Sequence, residues 1–240
     1  MAGDKLNPKQ KVGYEAADRL VESGMRIGMG TGSTAMWAIR RIGERVAAGD
    51  VKDIVVVVTS SQSESECFRA GLSPTTLADP RVGGILDLVI DGADEVDGSG
   101  RLVKGGGAAL VREKVVAYAA ETVAITVTRD KHVEALGVSF PVPLEVVPFA
   151  VPTVSRELAR RGYQHTVREG SGKMGPVVTD NGNHLVDVRL DAAVDPTVLE
   201  DEFECIPGVV GCGIFARRTF DVFTAESDGS VTRTRAGYLP

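Results

Sequence analysis

The sequence predicts an α/β fold, in which a parallel-sheet domain is followed by a smaller α+β domain. Three observations carry this. Runs at 54–58 (IVVVV), 85–90 (ILDLVI) and 123–127 (VAITV) are short, β-branched and continuously apolar, as strands covered on both faces are. Helical patterns alternate with them up to about Val127, the mark of a parallel sheet. After Leu136 the chain changes to prolines, a hairpin signal and short mixed segments.

The elements follow in order. Residues 11–23 place Ala16, Ala17, Leu20 and Val21 on one helical side, and 34–47 do the same with Ala35, Ala38, Ile39, Ile42 and Val46. A third helix over 108–120 is expected to bury Leu110, Val111, Val115 and Tyr118, with Trp37 and Tyr118 as core aromatics. The stretch PVPLEVVPFAVP (141–152) holds four prolines and reads as a hinge, neither central strand nor helix. A helix over 151–161 follows. GPVVTDNGNHLVDVRL (175–190) then carries an Asn-Gly hairpin signal, a helix covers 196–203, and the tail FDVFTAESDGSVTRTR pairs two strands across Asp228-Gly229. The expected division is 1–142 with 215–240 as one domain and 143–214 as the smaller one.

Composition narrows the function. The chain has 240 residues, 43% of them hydrophobic, and a net charge of −6 without any basic run, which speaks against a nucleic-acid partner. Cys67, Cys205 and Cys212 are odd in number and fit no zinc spacing, as expected of a reduced protein. The polar start MAGDKLNPKQK lacks a signal-peptide core and no apolar run reaches membrane length, so the cytoplasm is expected and a membrane partner is not.

GMGTGSTA (28–35) joins a strand to a helix. It fits neither the dinucleotide fingerprint nor the triphosphate loop, for the third glycine is misplaced, no acid ends IVVVV, and Gly-Lys-Ser/Thr is missing. What remains is a glycine turn at a helix N-terminus, where free N–H groups and the helix dipole attract an anion. Thr31, Ser33 and Thr34 add hydroxyls. A plain tight turn with Ser33 or Thr34 as N-cap explains the stretch as well.

IDGADEVDG (90–98) follows the buried run ILDLVI, so Asp91 and Asp94 fall at the carboxyl end of a strand, where open α/β sheets bind ligands. Asp91, Asp94 and Asp97 do not have calcium-loop spacing, while a magnesium site remains open. In KGGGAALVREK (104–114), three successive glycines imply a close approach of backbone. Lys104 can steady an oxyanion and Glu113 can move a proton, although spacing alone favours Glu113 on a solvated helix face between Arg112 and Lys114. His132, His165 and His184 are scattered, and no Ser-His-Asp order with a nucleophile elbow is present.

Taken together and in this order, GMGTGSTA, TSSQSE (59–64), DGADEVD (91–97), KGGGAALVREK, PLEVVPFA (143–150), VTDNGNHLVD (178–187) and PGVVGCGIFA (207–216) resemble the A-type ribose-5-phosphate isomerase family over nearly the whole chain. The resemblance implies a Rossmann-like catalytic domain with a smaller ferredoxin-like α+β lid, a homodimer or homotetramer, and no metal or organic cofactor. The implied reaction interconverts D-ribose 5-phosphate and D-ribulose 5-phosphate in the non-oxidative pentose phosphate pathway.

By motif, Glu113 is the base between C2 and C1, Asp91 and Lys104 serve the enediolate oxygens, and Asp94 helps ring opening. Thr31, Gly32, Ser33, Thr34, Gly92, Ala93, Gly105 and Gly106 join them around substrate. Lys9 matches a phosphate-side lysine at a spacing that differs by one residue. A basic phosphate contact is expected before Phe140-Pro141, where this chain has Ser139, and Cys212 stands for a commoner aliphatic residue as packing. Two other classes stay open: an amino-sugar phosphate deaminase or coenzyme A transferase, the latter needing an acyl-accepting glutamate, and a non-catalytic sugar-phosphate sensor, which would call for a DNA-binding module.

Overall fold

The computed structural model describes residues 7–172 and 174–237; residues 1–6, 173 and 238–240, which the expected domain spans include, lie outside it. In chain order the elements are α1 (Pro8–Leu20), β1 (Arg26–Met29), α2 (Ala35–Ala48), β2 (Val55–Val58), α3 (Ser61–Arg69), β3 (Pro74–Thr75), β4 (Leu86–Asp91), β5 (Glu95–Val96), β6 (Leu102–Val103), α4 (Leu110–Tyr118) and β7 (Ala120–Thr128). Then come β8 (Val142–Val146), α5 (Val151–Arg160), β9 (Gln164–Val167), β10 (His184–Arg189), α6 (Pro196–Glu204), β11 (Val209–Cys212), β12 (Ile214–Phe215), β13 (Thr219–Ala225) and β14 (Val231–Gly237).

The chain divides into two compact units. The first holds the described residues up to Gly92 with Val115–Lys131 and Phe220–Ala236. Its seven-stranded sheet runs β14-β13-β7-β4-β1-β2-β3, and every pair from β13 to β3 is parallel. Strand order reverses between β1 and β4, a topological switch point at which such sheets open a ligand crevice. The core is the stripe Ala38, Ile39 and Ile42 of α2 and Val12, Ala16 and Ala17 of α1, set with Ile27, Met29, Leu88 and Ile90 of the strands. Asn7 accepts from the Gln10 N–H at 2.9 Å to cap α1. Helix α3 was not among the expected elements; its signal is Ser60 as N-cap, accepting from the Ser63 N–H at 3.2 Å, with Glu64 in the first turn.

The second unit contains all of 143–214 and also 93–114, 132–142 and 215–219. Its four-stranded antiparallel sheet runs β11-β8-β10-β9 and, with α5 and α6, follows the order β-α-β-β-α-β of a ferredoxin-like fold. A three-stranded sheet, β12-β6-β5, belongs to the same unit. The proline segment departs from expectation. Val142–Val146 is a strand between two neighbours, because Pro143 O accepts from the Gly213 N–H at 2.7 Å. A strand residue's nitrogen and oxygen point the same way, so the missing Pro143 donor faces the end of β11 rather than its β10 partner Asp187. Pro152 then sits in the first turn of α5, where its missing N–H costs nothing.

The Asn181-Gly182 turn forms, but among the described residues its leading arm joins no named strand and pairs through the isolated bridges Glu169–Pro176 and Val178–His184. The buried Glu145 carboxylate explains this: it accepts from Thr179 Oγ1, Asn181 Nδ2 and Asn183 Nδ2 at 2.8–3.0 Å, drawing the turn to itself. The tail pairs as expected, with Glu226 N–H on Ser230 O at 2.9 Å closing the turn at Asp228-Gly229.

Candidate active site

In the first unit, β1 ends at Met29 and β4 at Asp91, at the switch point. The Gly30 N–H donates to Ile90 O, and Asp91 Oδ1 accepts from the N–H groups of Thr31 and Gly92 at 3.2 and 2.7 Å. The close approach dictates Gly30: a Cβ there would stand 1.9 Å from Asp91 Oδ1. The Thr31 hydroxyl does not face outward. It is buried with the Thr59, Ser60 and Ser63 hydroxyls at 2.7–3.2 Å, and Ser63 in turn donates to Gly30 O at 2.7 Å. The TSSQS segment thus braces the glycine loop from beneath.

Ser33 is the exposed hydroxyl of the loop, and Lys9 Nζ donates to it at 2.8 Å. Thr34 occupies the N-cap position of the 14-residue helix α2 but makes no side-chain capping bond, so the helix start is not closed by its own hydroxyl. Lys9 and Ser33 line a cavity of about 660 Å³ together with Trp37, Arg129, Asp130, Lys131 and Glu226. Sequence reasoning missed Arg129 and Lys131, which lie about 120 residues from Lys9 and within no glycine motif. Trp37, expected in the core, is half-buried on this cavity, with the Arg40 guanidinium 4.6 Å over its ring.

In the second unit, β5 and β6 place Asp94 and Lys104. The Asp94 N–H donates to Val103 O, and the Lys104 N–H to Gly213 O. Lys104 Nζ donates to Glu113 Oε1 at 3.1 Å, with both residues buried at 3% and 4% exposure. Glu113 is therefore not on a solvated face. The buried stripe of α4 and its approach is Ala109, Leu110, Glu113, Val116 and Ala117, whereas Val115 and Tyr118 are about half exposed, at 52% and 45%. The expected face was rotated because the polar Glu113 at its centre masked it.

The triple-glycine loop is fixed by its carbonyls, Arg168 Nη1 donating to Gly105 O and Gly106 O at 2.8 and 3.2 Å while its other nitrogens hold Asp187. Asp94 Oδ2 accepts from the Gly106 N–H at 2.8 Å, and a Cβ on Gly106 would meet Asp94 Oδ1 at 2.6 Å. Ala108, at φ 61°, holds the left-handed conformation just before α4, a local strain of the kind found at functional sites.

The third acid of the motif has a different task. Asp97 accepts from the N–H groups of Ser99 and Arg101 and pairs with the Arg101 side chain at 2.7 Å, closing a turn. Glu95 is buried and accepts from the Gly137 and Phe140 N–H groups; burial pushes its carboxyl up despite them. Among the described residues, one group has metal-ligand geometry: Glu200, Glu204 and Cys212. The Lys114 ammonium already serves both of its carboxylates, at 2.7 and 2.6 Å. Burial pushes the Cys212 thiol up to about 12, consistent with a packed, unionised side chain. No helix among the described residues is long and apolar enough to cross a membrane.

Residues 55–229 match the family model described as ribose 5-phosphate isomerase A (phosphoriboisomerase A). A ribose-5-phosphate isomerase A of Treponema denticola is 42% identical over 235 residues, covering 95% of this chain and 98% of its own. One from Thermosynechococcus vestitus is 48% identical over 207 residues, 86% of each chain. Among solved structures, ribose 5-phosphate isomerase A from Methanocaldococcus jannaschii is similar with a TM-score of 0.87 at 37% identity, over 95% of this chain and 98% of that one. A D-ribose-5-phosphate isomerase in complex with phospho-erythronic acid is similar with a TM-score of 0.88 at 37% identity, over 95% and 99%.

Proposed function

Because the chain belongs to the ribose 5-phosphate isomerase A family, we propose that its buried Lys104–Glu113 pair carries the proton transfer of an aldose–ketose isomerisation. The reaction interconverts D-ribose 5-phosphate and D-ribulose 5-phosphate through an enediolate. In the open-chain aldose, Glu113 removes the C2 proton, the electron pair moves to the C1–C2 bond, and the C1 oxygen becomes negative. The C2 hydroxyl proton passes to the C1 oxygen, moving the negative charge to the C2 oxygen. As that oxygen forms the ketone, the C1–C2 pair takes the proton back from the Glu113 carboxylic acid at C1, on the same face of the cis-enediolate.

The observation that carries this reading is the 3.1 Å contact between two buried side chains of opposite charge at the end of a glycine loop. Lys104 supplies a fixed positive charge for the developing oxyanion, and in a dry site that charge is screened little. Asp91, oriented by the Thr31 and Gly92 N–H groups, serves the same oxygens, and Asp94, oriented by Gly106, aids ring opening. Gly32, Ala93 and Gly105 contribute backbone beside these groups.

The phosphate falls to the α2 N-terminus with Ser33, Thr34, Lys9 and Lys131. Lys131 and Arg129 line the Lys9–Ser33 cavity, and this supports them as substitutes for the single basic contact expected at position 139, where the chain has serine. A bound phosphate lets remote binding energy orient the reacting carbons. Assembly as a homodimer or homotetramer and a cytoplasmic location belong to the same reading, and sedimentation velocity tests the first. The chemistry assigned here asks for no metal. Turnover of ribose 5-phosphate should survive exhaustive chelation, and a loss that magnesium restores would overturn the assignment of the oxyanion to Lys104.

A further inference from the structure

The first turn of α4 follows a glycine-rich loop that ends in the left-handed Ala108, and the wholly buried Leu110 anchors one face of that turn. The two side chains flanking Glu113, which point to either side of it, tether the turn as well. Lys114 Nζ donates to Glu200 Oε1 and Glu204 Oε1 on α6 at 2.7 and 2.6 Å. Glu200 is 2% exposed, and its second oxygen accepts from the Ala216 N–H at 3.2 Å. On the other side, Arg112 donates to Asn181 Oδ1 and Asp180 O at 2.7 and 2.8 Å, and Asn181 is held in turn by Glu145, which is wholly buried.

The Phe215 ring completes the set, with Lys114 Nζ 5.0 Å and Lys104 Nζ 5.7 Å from its centroid. Burial alone would lower the Lys114 pKa, and the facing Glu200 and Glu204 carboxylates reverse this, so the ammonium stays charged.

A buried ion pair adds little net stability, since desolvation offsets its attraction. The Lys114–Glu200 pair therefore calls for a reason other than stability, and proton transfer supplies one: a reacting group misplaced by about 1 Å loses about a hundredfold in rate. We propose that Lys114 is a positioning residue for the isomerisation, its tether to Glu200 and Glu204 fixing the first turn of α4 so that Glu113 stays registered on Lys104. This rests on the assignment of Glu113 as the base.

The test is steady-state kinetics on ribose 5-phosphate with folded Lys114→Met, Lys114→Arg and Glu200→Gln proteins, each made also in the Glu113→Gln background. Lys114→Met should lower kcat about ten- to a hundredfold with KM within about twofold, and Lys114→Arg, which reaches the same carboxylates, should recover most of it. In the Glu113→Gln background Lys114→Met should cost nothing further, because it acts through Glu113; a merely structural effect would multiply. Unchanged kcat in Lys114→Met, a KM change matching the kcat change, or full additivity overturns the proposal. If Lys114→Met does not fold, Glu200→Gln, which keeps the shape and the bond to Ala216, is held to the same criteria. An active Glu113→Gln enzyme would instead sink the base assignment, whatever Lys114 does.

Discussion

Replacing Glu113 by Gln removes one proton acceptor and leaves the surrounding geometry nearly intact. Two magnitudes can be set in advance. The chemical one is the general-base contribution, about 10²–10⁴ in kcat, or about 3–5 kcal/mol at roughly 1.4 kcal/mol per decade. The structural one comes from Lys104, whose ammonium is 3% exposed and 3.1 Å from Glu113 Oε1. A glutamine oxygen still accepts from it, so the loss stays below the about 3–5 kcal/mol of stripping a partner from a buried pair.

Taking about 2 kcal/mol for a hydrogen bond to a charged group that loses its counter-charge, Tm should fall by about 4–8 °C. At 25 °C the variant remains folded, so a rate loss read there is chemical. The assay follows ketose formation together with exchange of the C2 proton into deuterated water. Both should collapse in parallel while KM changes by less than about twofold, the phosphate contacts being elsewhere. Near-normal turnover with near-normal exchange would refute the reasoning, and the base would then be sought at Asp91 or Asp94.

Three other outcomes are expected. Lys131→Met, and Ser33→Ala combined with Thr34→Ala, should each raise KM for ribose 5-phosphate about tenfold or more, from about 1.5–3 kcal/mol per hydrogen bond to a charged group, with less effect on unphosphorylated ribose; equal losses on both substrates would make the loop purely structural. Gly30→Ala drives a methyl to 1.9 Å from Asp91 Oδ1 and should cost about 1–3 kcal/mol along with most of the turnover, whereas Gly98→Ala, with open space around it, should stay within about 0.5 kcal/mol of the parent. The Arg160 and Arg161 side chains hold the Glu157 carboxyl down to about 2. A depressed acid stabilises the fold above its unfolded pKa near 4.5 and loses that contribution as pH falls towards 2, so the Tm gap between parent and Glu157→Gln should close across that window; a gap independent of pH would contradict the pairing.

Several parts of this protein were legible without coordinates. The strands β2, β4 and β7 carry the apolar runs 55–58, 88–90 and 123–127, which are largely buried, and this is why they could be read from residue type. The glycine loop, the acids of DGADEVD and the KGGGAALVREK segment are local in sequence, so their chemistry could be read from residue type and order. The burial of Glu113 could not be read in that way. Periodicity sorts residues into apolar and polar, and a charge buried against Lys104 looks the same as a solvated one, which turned the expected face of α4 towards the exposed Val115 and Tyr118.

The prolines of 141–152 likewise read as a break, because whether Pro143 lacks a needed donor depends on which neighbour its nitrogen faces. The cavity that joins Lys9 to Arg129 and Lys131, and the tethers from Lys114 to Glu200 and from Arg112 to Asn181, link residues roughly 70 to 120 positions apart. Sequence alone determined the family, the strands and the chemical groups, since these depend on local composition. Tertiary structure decided which groups lose water and which charges meet, since burial and pairing are properties of distant segments brought together.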